Sequence, residues 1–410
     1  MNILRKKNFQ SYFLNLLPIF LCLIIFSLYL FSTNQPELSL IEYVYIENLI
    51  NYEGGFVRRG LLGQFIYEIN YNFNINPIKI VSILYSFLYT VLIIFFYKIC
   101  SNLYKVNPYL FILILFSPAT FLFPLFDFYA LFRKEIFFFI IYFCHVYIAQ
   151  KTILKKQTYR IYQKQYFLII FPILILSIFI HESQFFFIFF HIMINFIVLK
   201  SHKNKFLYLT YVIYFFVFLS FVSPASNEAI EQINFSLEKF LPGISDKYTP
   251  VTILTGNINL QLGRTLYYIK NSNFNEFIQL FYIFIFSIGL FSFVFLNLLK
   301  RNILNIKKYK NSILLINIYS CTFVLFFMIL SFDYGRFFNI LLMHIIGFYL
   351  IFPYKNYKID ELKTAKKIKY LFIIFVYIII FYLPHASILG GQGSIYEKME
   401  TGIMLFLKKS

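Results

Sequence analysis

The amino-acid sequence predicts an all-α fold: a polytopic bundle of about eleven transmembrane helices (10–12) with two long loops on one side. Of its 410 residues, 60% are hydrophobic and only 13% are charged, whereas a soluble domain carries about a quarter charged residues. Long apolar runs recur along the chain. A helix of ~20 residues crosses the ~30 Å hydrocarbon core, and these runs are too long for barrel strands. The composition therefore excludes a soluble enzyme and predicts one integral membrane domain over residues 1–410.

The predicted spans follow the apolar runs in chain order. They lie near 11–32, 78–97, 108–125, 134–150, 166–181, 184–199, 206–223, 273–299, 312–331, 337–353 and 369–384. The first run follows Arg5, Lys6 and Lys7 and is too long for the apolar part of a signal peptide, so it is expected to be an uncleaved span. The tight pair 166–181 and 184–199 also permits a re-entrant hairpin.

Basic residues predict the orientation of these spans. With the N-terminus inside, the inner segments hold 24 of the 37 Lys and Arg residues and only two of the 18 acids, Asp360 and Glu361. This bias predicts a cytoplasmic N-terminus and, with an odd number of spans, a C-terminus outside. The net charge of +19 is thus a topology signal that favours an anionic cytoplasmic leaflet. We find no nucleic-acid-binding motif and expect no nucleic-acid partner.

Two outer segments are long, at 33–77 and 224–272. The first includes a short amphipathic stretch from Leu61 to Ile69, which predicts a helix lying in the membrane interface. The inner loops are short and contain neither a Walker A loop nor a dinucleotide-binding glycine motif, so this chain alone is not expected to drive transport with ATP. The four cysteines all lie in apolar runs and predict no disulfide framework or metal site.

Charged residues gather at the outer ends of the spans. A charge at mid-bilayer costs ~3 kcal/mol or more, so such residues are expected to face a cavity or a partner. The most basic motif is Glu53-Gly54-Gly55-Phe56-Val57-Arg58-Arg59-Gly60. Its adjacent arginines offer planar forks of N–H donors that suit phosphate oxygens. The alternative is a turn whose arginines reach the lipid headgroups.

Arg133, Lys134 and Glu135 follow Asp127 between two apolar runs. This arrangement fits either an ion pair between Asp127 and Arg133 or a second phosphate-binding group. Asp333 and Arg336 are three residues apart and would share a helix face. They predict either a structural salt bridge or an aspartate that orients Arg336 toward an anionic ligand.

His181-Glu182-Ser183-Gln184 fills a very short connection between two apolar spans. A histidine beside a carboxylate suits general-base chemistry, and the alternative is a polar hairpin tip that faces water. Because no second histidine follows at metal-ligand spacing, the motif predicts no zinc site. Arg264 is expected to be a solvated charge. Four other histidines are interpreted as packing, inner-face or tail residues: His145, His191, His344 and His385.

Arginine forks suit a pyrophosphate held at a membrane surface, and a polyprenyl pyrophosphate sugar already carries its activation energy in the leaving group. With the motifs at 54–60, 133–135, 181–182 and 333–336, the chain resembles bacterial O-antigen or capsule-type polysaccharide polymerases. The resemblance implies a glycosyltransferase of the inner membrane. It would move a growing glycan from undecaprenyl pyrophosphate onto a new lipid-linked repeat unit in the periplasm.

The resulting hypothesis assigns a role to each motif. Arg58, Arg59 and Arg336 hold the donor pyrophosphate, with Arg133 as a possible fourth contact. His181 or Glu182 acts as general base on the acceptor hydroxyl. Three acids support these groups: Glu53, Asp127 and Asp333. No metal and no cofactor is expected. The implied partners are the lipid-linked oligosaccharide, membrane lipids, and flippase and chain-length-regulator proteins.

Two other functions fit the same topology. One is a glycosyltransferase that uses a polyprenyl monophosphate sugar, with an acidic base in the first outer loop, where Glu42, Glu47 and Glu53 are available. The other is a flippase of lipid-linked oligosaccharide. A transporter is expected to carry ionisable groups along a pathway through the midplane, whereas here they gather at one face.

Overall fold

The structure is a computed structural model that describes only part of the chain. The described residues are 45–106, 108–116, 120, 123, 132–199, 205–220, 223–239, 251, 254, 256, 263, 266–267, 270, 310–330 and 334–352. The predicted spans near 11–32, 273–299 and 369–384 lie outside them, as do Asp127, Asp333 and Arg264.

All regular secondary structure in these ranges is helical, and no strand occurs among the described residues. The helices are α1 (Gly60–Phe73), α2 (Pro77–Val106), α3 (Pro108–Phe116), α4 (Glu135–Ile153), α5 (Tyr159–Gln165), a π turn (Tyr166–Ile170), α6 (Phe171–Ile180), α7 (Gln184–Leu199), α8 (Lys205–Ser220), α9 (Asn227–Glu238), α10 (Lys310–Leu330) and α11 (Tyr334–Leu350). Residues 45–49 form a further short helical segment. The described chain therefore confirms the all-α class.

Three helices in the described ranges are long and apolar enough to cross a membrane. They are Pro77–Cys100 within α2, Glu135–Ile153, and Tyr159–Ile180, which joins α5, the π turn and α6. Shorter apolar helices occur at Gln184–Leu199, Tyr208–Leu219 and Asn339–Leu350. Large apolar side chains remain outward on these segments, as with Leu168 (65% exposed) and Phe216 (64% exposed). Such surfaces suit lipid contact better than water.

The predicted span near 166–181 begins earlier than the sequence suggested. The hydroxyl of Thr158 accepts a hydrogen bond from the Ile161 N–H and caps α5 at its start. The helix then continues through the π turn, where the Phe171 N–H bonds to the Tyr166 carbonyl. Pro172 has no N–H to continue the ordinary ladder, which explains the wider turn just before it.

A tight turn separates α6 from α7. His181 has an extended backbone (φ −161°, ψ 119°), and this ends α6. The Gln184 N–H then bonds to the His181 carbonyl at 3.2 Å, and α7 begins at Gln184. Residues 181–183 are therefore held between two apolar helices, with His181 and Ser183 buried.

The described residues divide into two compact units. The first consists of those that lie within Met1–Ser101, Phe132–His191 and Leu199–Gly256, and the second of those within Asn102–Leu131, Ile192–Val198 and Asn257–Ser410. Within the first, α6 packs against α1, α4 and α8. Within the second, α10 packs against α11, and the buried Asn339 amide donates to the Thr120 carbonyl at 2.8 Å.

Candidate functional site

Glycines let the first predicted outer loop fold closely onto its surroundings. A Cβ at Gly54 would overlap the backbone carbonyl of Ala229 in α9, and one at Gly63 would overlap the carbonyl of Ile50. Gly55 has φ +97°, a left-handed backbone that other residues rarely adopt. These positions explain why the motif needs glycine, and they fix the course of the chain that carries Arg58 and Arg59.

The first loop also contacts the second predicted outer loop. The Asn51 amide donates to the Ser236 hydroxyl at 2.9 Å. The Arg58 guanidinium donates through Nη2 to the Gly256 carbonyl, also at 2.9 Å. Burial lowers the pKa of Arg58 relative to an ordinary guanidinium, although the nearby Glu182 opposes this effect. The two loops that the sequence predicted thus hold each other in place.

Glu47 lies at the centre of a buried charged cluster, with its side chain only 4% exposed. Its Oε1 accepts from Arg59 Nη1 at 2.9 Å, and its Oε2 accepts from Arg133 Nη1. Burial alone would favour the neutral acid, but the charges of Arg133, Arg59 and Lys134 outweigh it. They hold the pKa of Glu47 well below its usual range.

Arg59 joins Glu47 to Glu182. Its Nε donates to Glu182 Oε2 at 2.9 Å, and its Nη2 donates to Oε1 at 2.6 Å, a two-pronged geometry that only arginine can make. Burial opposes the charge on Glu182, but Arg59 and His181 hold the pKa of this carboxyl well below its usual range. Arg59 itself has a left-handed backbone (φ 66°), immediately before α1. Because of this backbone conformation, the side chains of Arg58 and Arg59 have different partners, and that of Arg58 donates to the Gly256 carbonyl.

Lys134 is a buried cation, only 1% exposed. Its Nζ donates to the Arg59 carbonyl at 3.0 Å. No carboxylate oxygen lies within 4 Å of it in the part of the chain that the structure describes. Burial lowers the pKa of Lys134 to about 8, although nearby Glu47 partly offsets this. At neutral pH the cluster therefore contains an ammonium group that has no carboxylate in direct contact among the described residues.

The residues before Lys134 are fixed by a second set of buried contacts. The Asn48 amide donates to the Phe132 carbonyl at 2.7 Å, and the Tyr85 hydroxyl donates to Asn48 Oδ1 at 2.6 Å. The Phe132 ring packs against Tyr45, with the centroids 4.4 Å apart. These contacts attach the chain entering α4 to the helical segment 45–49, and so place Arg133 beside Glu47.

His181 is buried beside Glu182. Its Nδ1 accepts from the Ser183 N–H at 3.2 Å and lies 2.9 Å from the Ser183 hydroxyl. Because a backbone N–H can only donate, this contact assigns the neutral imidazole proton to Nε2. Nδ1 also lies 3.8 Å from Glu182 Oε2. The arrangement makes Nε2 a hydrogen-bond donor in the neutral state.

The structure brings together most, but not all, of the predicted site residues that it describes. Arg59, Arg133, His181 and Glu182 meet in the cluster, and Arg58 is adjacent to it. Glu53 is exposed and interacts with the Tyr67 hydroxyl on α1 instead. Arg336 belongs to the second compact unit, where its guanidinium lies 5.2 Å from the centre of the Phe337 ring.

Sequence reasoning missed the central position of Glu47 and the role of Lys134. Glu47 was considered only for the alternative enzyme, although an acid within the apolar stretch 43–50 is a signal for a buried charge. The sequence grouped Lys134 with Arg133 in a candidate phosphate-binding motif, but the predicted mechanism gave a role to Arg133 alone. The burial of Lys134 depends on Arg59, 75 residues earlier in the chain, and adjacency in sequence could not indicate that contact.

A second hydrogen-bonded buried group occurs in the first unit. His145 Nδ1 and His191 Nδ1 are 2.9 Å apart, and His145 Nε2 lies 2.7 Å from the Tyr162 hydroxyl. Both histidines are fully buried. Their position agrees with the interpretation of His145 and His191 as packing residues, and the bonds among them join α4, α5 and α7.

The cluster has the electrostatics of a site for an anion. The three cations of the cluster (Arg59, Arg133 and Lys134) and the adjacent Arg58 accompany three carboxylates (Glu47, Glu182 and the buried Glu135) among the described residues. The surplus charge lies in a buried region, where interactions with an anionic group are stronger than in water. The cluster can therefore offer guanidinium and ammonium donors to an anionic group.

Comparison of the chain with protein-family models, with curated proteins and with solved structures found no match.

Proposed function

We propose that this chain is a surface-polysaccharide polymerase of the bacterial inner membrane. It would transfer a growing glycan from undecaprenyl pyrophosphate to a new lipid-linked repeat unit at the periplasmic face. The proposal includes about eleven spans, a cytoplasmic N-terminus, a periplasmic C-terminus, and periplasmic loops at 33–77 and 224–272. Its basis is the buried charged cluster and the three described helices that could cross a membrane.

Lys134 is the observation that carries the proposal. A buried ammonium group without a direct counter-ion is costly in the resting protein. An incoming phosphate would supply the missing negative charge. Arg59 is immediately adjacent, since its carbonyl accepts from Lys134. A pyrophosphate at this point would meet both a compact ammonium group and planar guanidinium donors.

The proposed reaction breaks the bond between the donor sugar C1 and the pyrophosphate oxygen. The electron pair leaves with the pyrophosphate, and Lys134, Arg59 and Arg58 stabilise its growing charge. The acceptor hydroxyl oxygen forms the new bond to C1 and gives up its proton. Glu47 keeps Arg59 and Arg133 in position through its two ion pairs.

Of the two candidate bases, the geometry favours Glu182, because the unprotonated Nδ1 of His181 already accepts from the Ser183 N–H. Glu182 is ionised but weakly basic, because Arg59 holds its pKa well below the usual range. A weak base suffices when the sugar carbon develops strong positive charge before the acceptor proton leaves, since the attacking oxygen is then acidic. The Nε2–H of His181 suits a hydrogen bond to a sugar or phosphate oxygen.

Helix α1 suits the proposed interfacial position. Phe65, Tyr71 and Phe73 are 56%, 74% and 70% exposed, while Leu62 and Ile66 are buried against the protein. Exposed aromatic side chains are favoured at the boundary between lipid and water. This surface would lead a lipid carrier toward Arg59, which directly precedes the helix.

The decisive experiment is deletion of the gene followed by complementation and analysis of the polysaccharide ladder. Wild type should restore long chains, whereas R58A, R59A, H181A and E182A should reduce chain length at equal protein level. If all four still make long polymer, the site is wrongly assigned. If the glycan of the deletion strain lacks one sugar and still forms a ladder of repeat units, the chain is not a polymerase.

Orientation needs a separate measurement. In a cysteine-free background, G263C should react with a membrane-impermeant maleimide applied from the periplasm, because residue 263 is exposed and no atom lies near its Cβ position. K155C, in an exposed turn after α4, should react only after permeabilisation. The reverse pattern would exclude a periplasmic site.

Glu47 favours one alternative, a glycosyltransferase that uses a polyprenyl monophosphate sugar. That enzyme class places an acid in the first outer loop, and Glu47 occupies the centre of the cluster. Product analysis distinguishes the two, since this alternative predicts a single added sugar.

A further inference from the structure

Gln184 is the first residue of α7 and follows directly after His181, Glu182 and Ser183. Its side chain is fully buried. Neither its amide nitrogen nor its amide oxygen has a hydrogen-bond partner among the described residues. Most buried polar groups in folded proteins are paired, and leaving one unpaired costs about 1–3 kcal/mol. An amide with two unpaired atoms therefore needs an explanation.

The chain neighbours of Gln184 have contacts of their own. Ser183 bonds to His181, and Glu182 bonds to Arg59. The next helical turn carries Phe187, which is buried and packs against Phe138 with the ring centroids 6.1 Å apart. In the resting protein, no hydrogen bond to a described residue thus offsets the cost of burying this amide.

A planar amide offers one acceptor oxygen and two N–H donors side by side. Neighbouring hydroxyls of a sugar, or an acetamido group, present the matching donors and acceptors. The proposed phosphate-binding cations join the same turn through the bonds between Arg59 and Glu182. We propose that the Gln184 amide binds a hydroxyl or acetamido group of the sugar attached to the lipid pyrophosphate. This inference rests on the proposed function and extends it to recognition of the sugar.

Two matched variants separate recognition from folding. Q184M keeps the length of the side chain and removes the amide. It should leave the thermal midpoint unchanged or raise it, because no hydrogen bond is lost in the resting protein. Q150M makes the same change at another buried glutamine, whose amide donates to the Ile99 carbonyl at 3.5 Å. Q150M should lower the midpoint and leave lipid affinity unchanged.

Binding is measured on the full chain in nanodiscs with two probes, undecaprenyl pyrophosphate and undecaprenyl pyrophosphate N-acetylglucosamine. We expect Q184M to weaken binding of the sugar-bearing lipid about tenfold, as the loss of one hydrogen bond to a sugar predicts, and to bind the sugar-free lipid normally. The inference is overturned if Q184M binds both lipids equally more weakly than wild type does, or if it binds both as tightly as wild type does. A midpoint that falls as far as in Q150M would also overturn it, because the amide would then have a structural partner.

Failure of the proposed function gives a different result. In that case the wild-type protein itself binds neither pyrophosphate lipid, and the inference fails with it. If the wild type binds both probes with equal affinity, the pyrophosphate site stands and only the sugar contact is refuted.

Discussion

Replacing Glu47 by glutamine tests whether one buried carboxylate organises the charged cluster. E47Q preserves the shape of the side chain and removes its charge. Arg59 and Arg133 then lose their shared ion-pair partner, while burial prevents water from solvating them fully. Glu182 would be the carboxylate left in direct contact with Arg59.

The expected magnitude follows from the two bonds that Glu47 accepts. A hydrogen bond to a charged group contributes about 1.5–3 kcal/mol, and removing one partner of a buried ion pair costs about 3–5 kcal/mol. The glutamine oxygen still accepts one of the two bonds, so the loss should fall at the lower end. We expect E47Q to lower the free energy of unfolding by about 3 kcal/mol.

Equilibrium unfolding in mixed detergent micelles measures this loss. The control is E68Q, the same substitution at an exposed carboxylate that accepts from Gln64 at 2.9 Å, and it should change stability by less than about 0.5 kcal/mol. The double variant E47Q/R133Q removes a cation with the anion, so its loss should be at least about 1 kcal/mol smaller than the sum of the single losses. The reasoning is refuted if E47Q matches E68Q, or if the two single effects simply add.

Three further predictions test other parts of the cluster. Burial lowers the pKa of Lys134 to about 8, so its ammonium charge is lost as pH rises through 8. Wild-type binding of undecaprenyl pyrophosphate should therefore weaken over this pH range, and K134M should not show this weakening. If K134M weakens over the same range, another group is responsible. G63A should lower the free energy of unfolding by about 3 kcal/mol or more, because its Cβ would overlap the Ile50 carbonyl. The control G263A, which has open space around its Cβ position, should unfold like wild type. Equal stability of the two variants would contradict the packing argument. R59K keeps the charge but loses the two-pronged bond, so micelle unfolding should show a loss of about 1–3 kcal/mol, and wild-type stability would show that the fork contributes nothing.

The apolar runs predicted the helices well, because span length and hydropathy are local properties. The run at 184–199 coincides with α7, and the run at 206–223 overlaps α8. The sequence placed the start of one span near 166, seven residues after the helix begins at Tyr159, because polar side chains at 159–165 suggested a loop. A capping threonine and water at the helix end allow those residues to be helical.

The charged cluster was only partly predictable, because its contacts join distant segments. Chemical type identified Arg59 and Glu182 as candidates, but their bond spans 123 residues. The sequence treated Arg58 and Arg59 alike, whereas a left-handed backbone at Arg59 sends the two side chains to different partners. No local pattern encodes that divergence.

The order in which the cluster is synthesised has a consequence for biogenesis. Glu47 and Arg59 leave the ribosome 12 residues apart and can neutralise each other early. Arg133, Lys134 and Glu135 then add a net charge of +1, and Glu182 follows only after nearly fifty more residues. The cluster residues of a nascent chain that ends between 135 and 182 would therefore carry a surplus of positive charge. The Gly256 carbonyl, which accepts from Arg58, lies 198 residues downstream of Arg58 and would not yet be synthesised. Reporter fusions truncated in this interval would sample an unassembled intermediate, so membrane topology should be mapped on full-length protein.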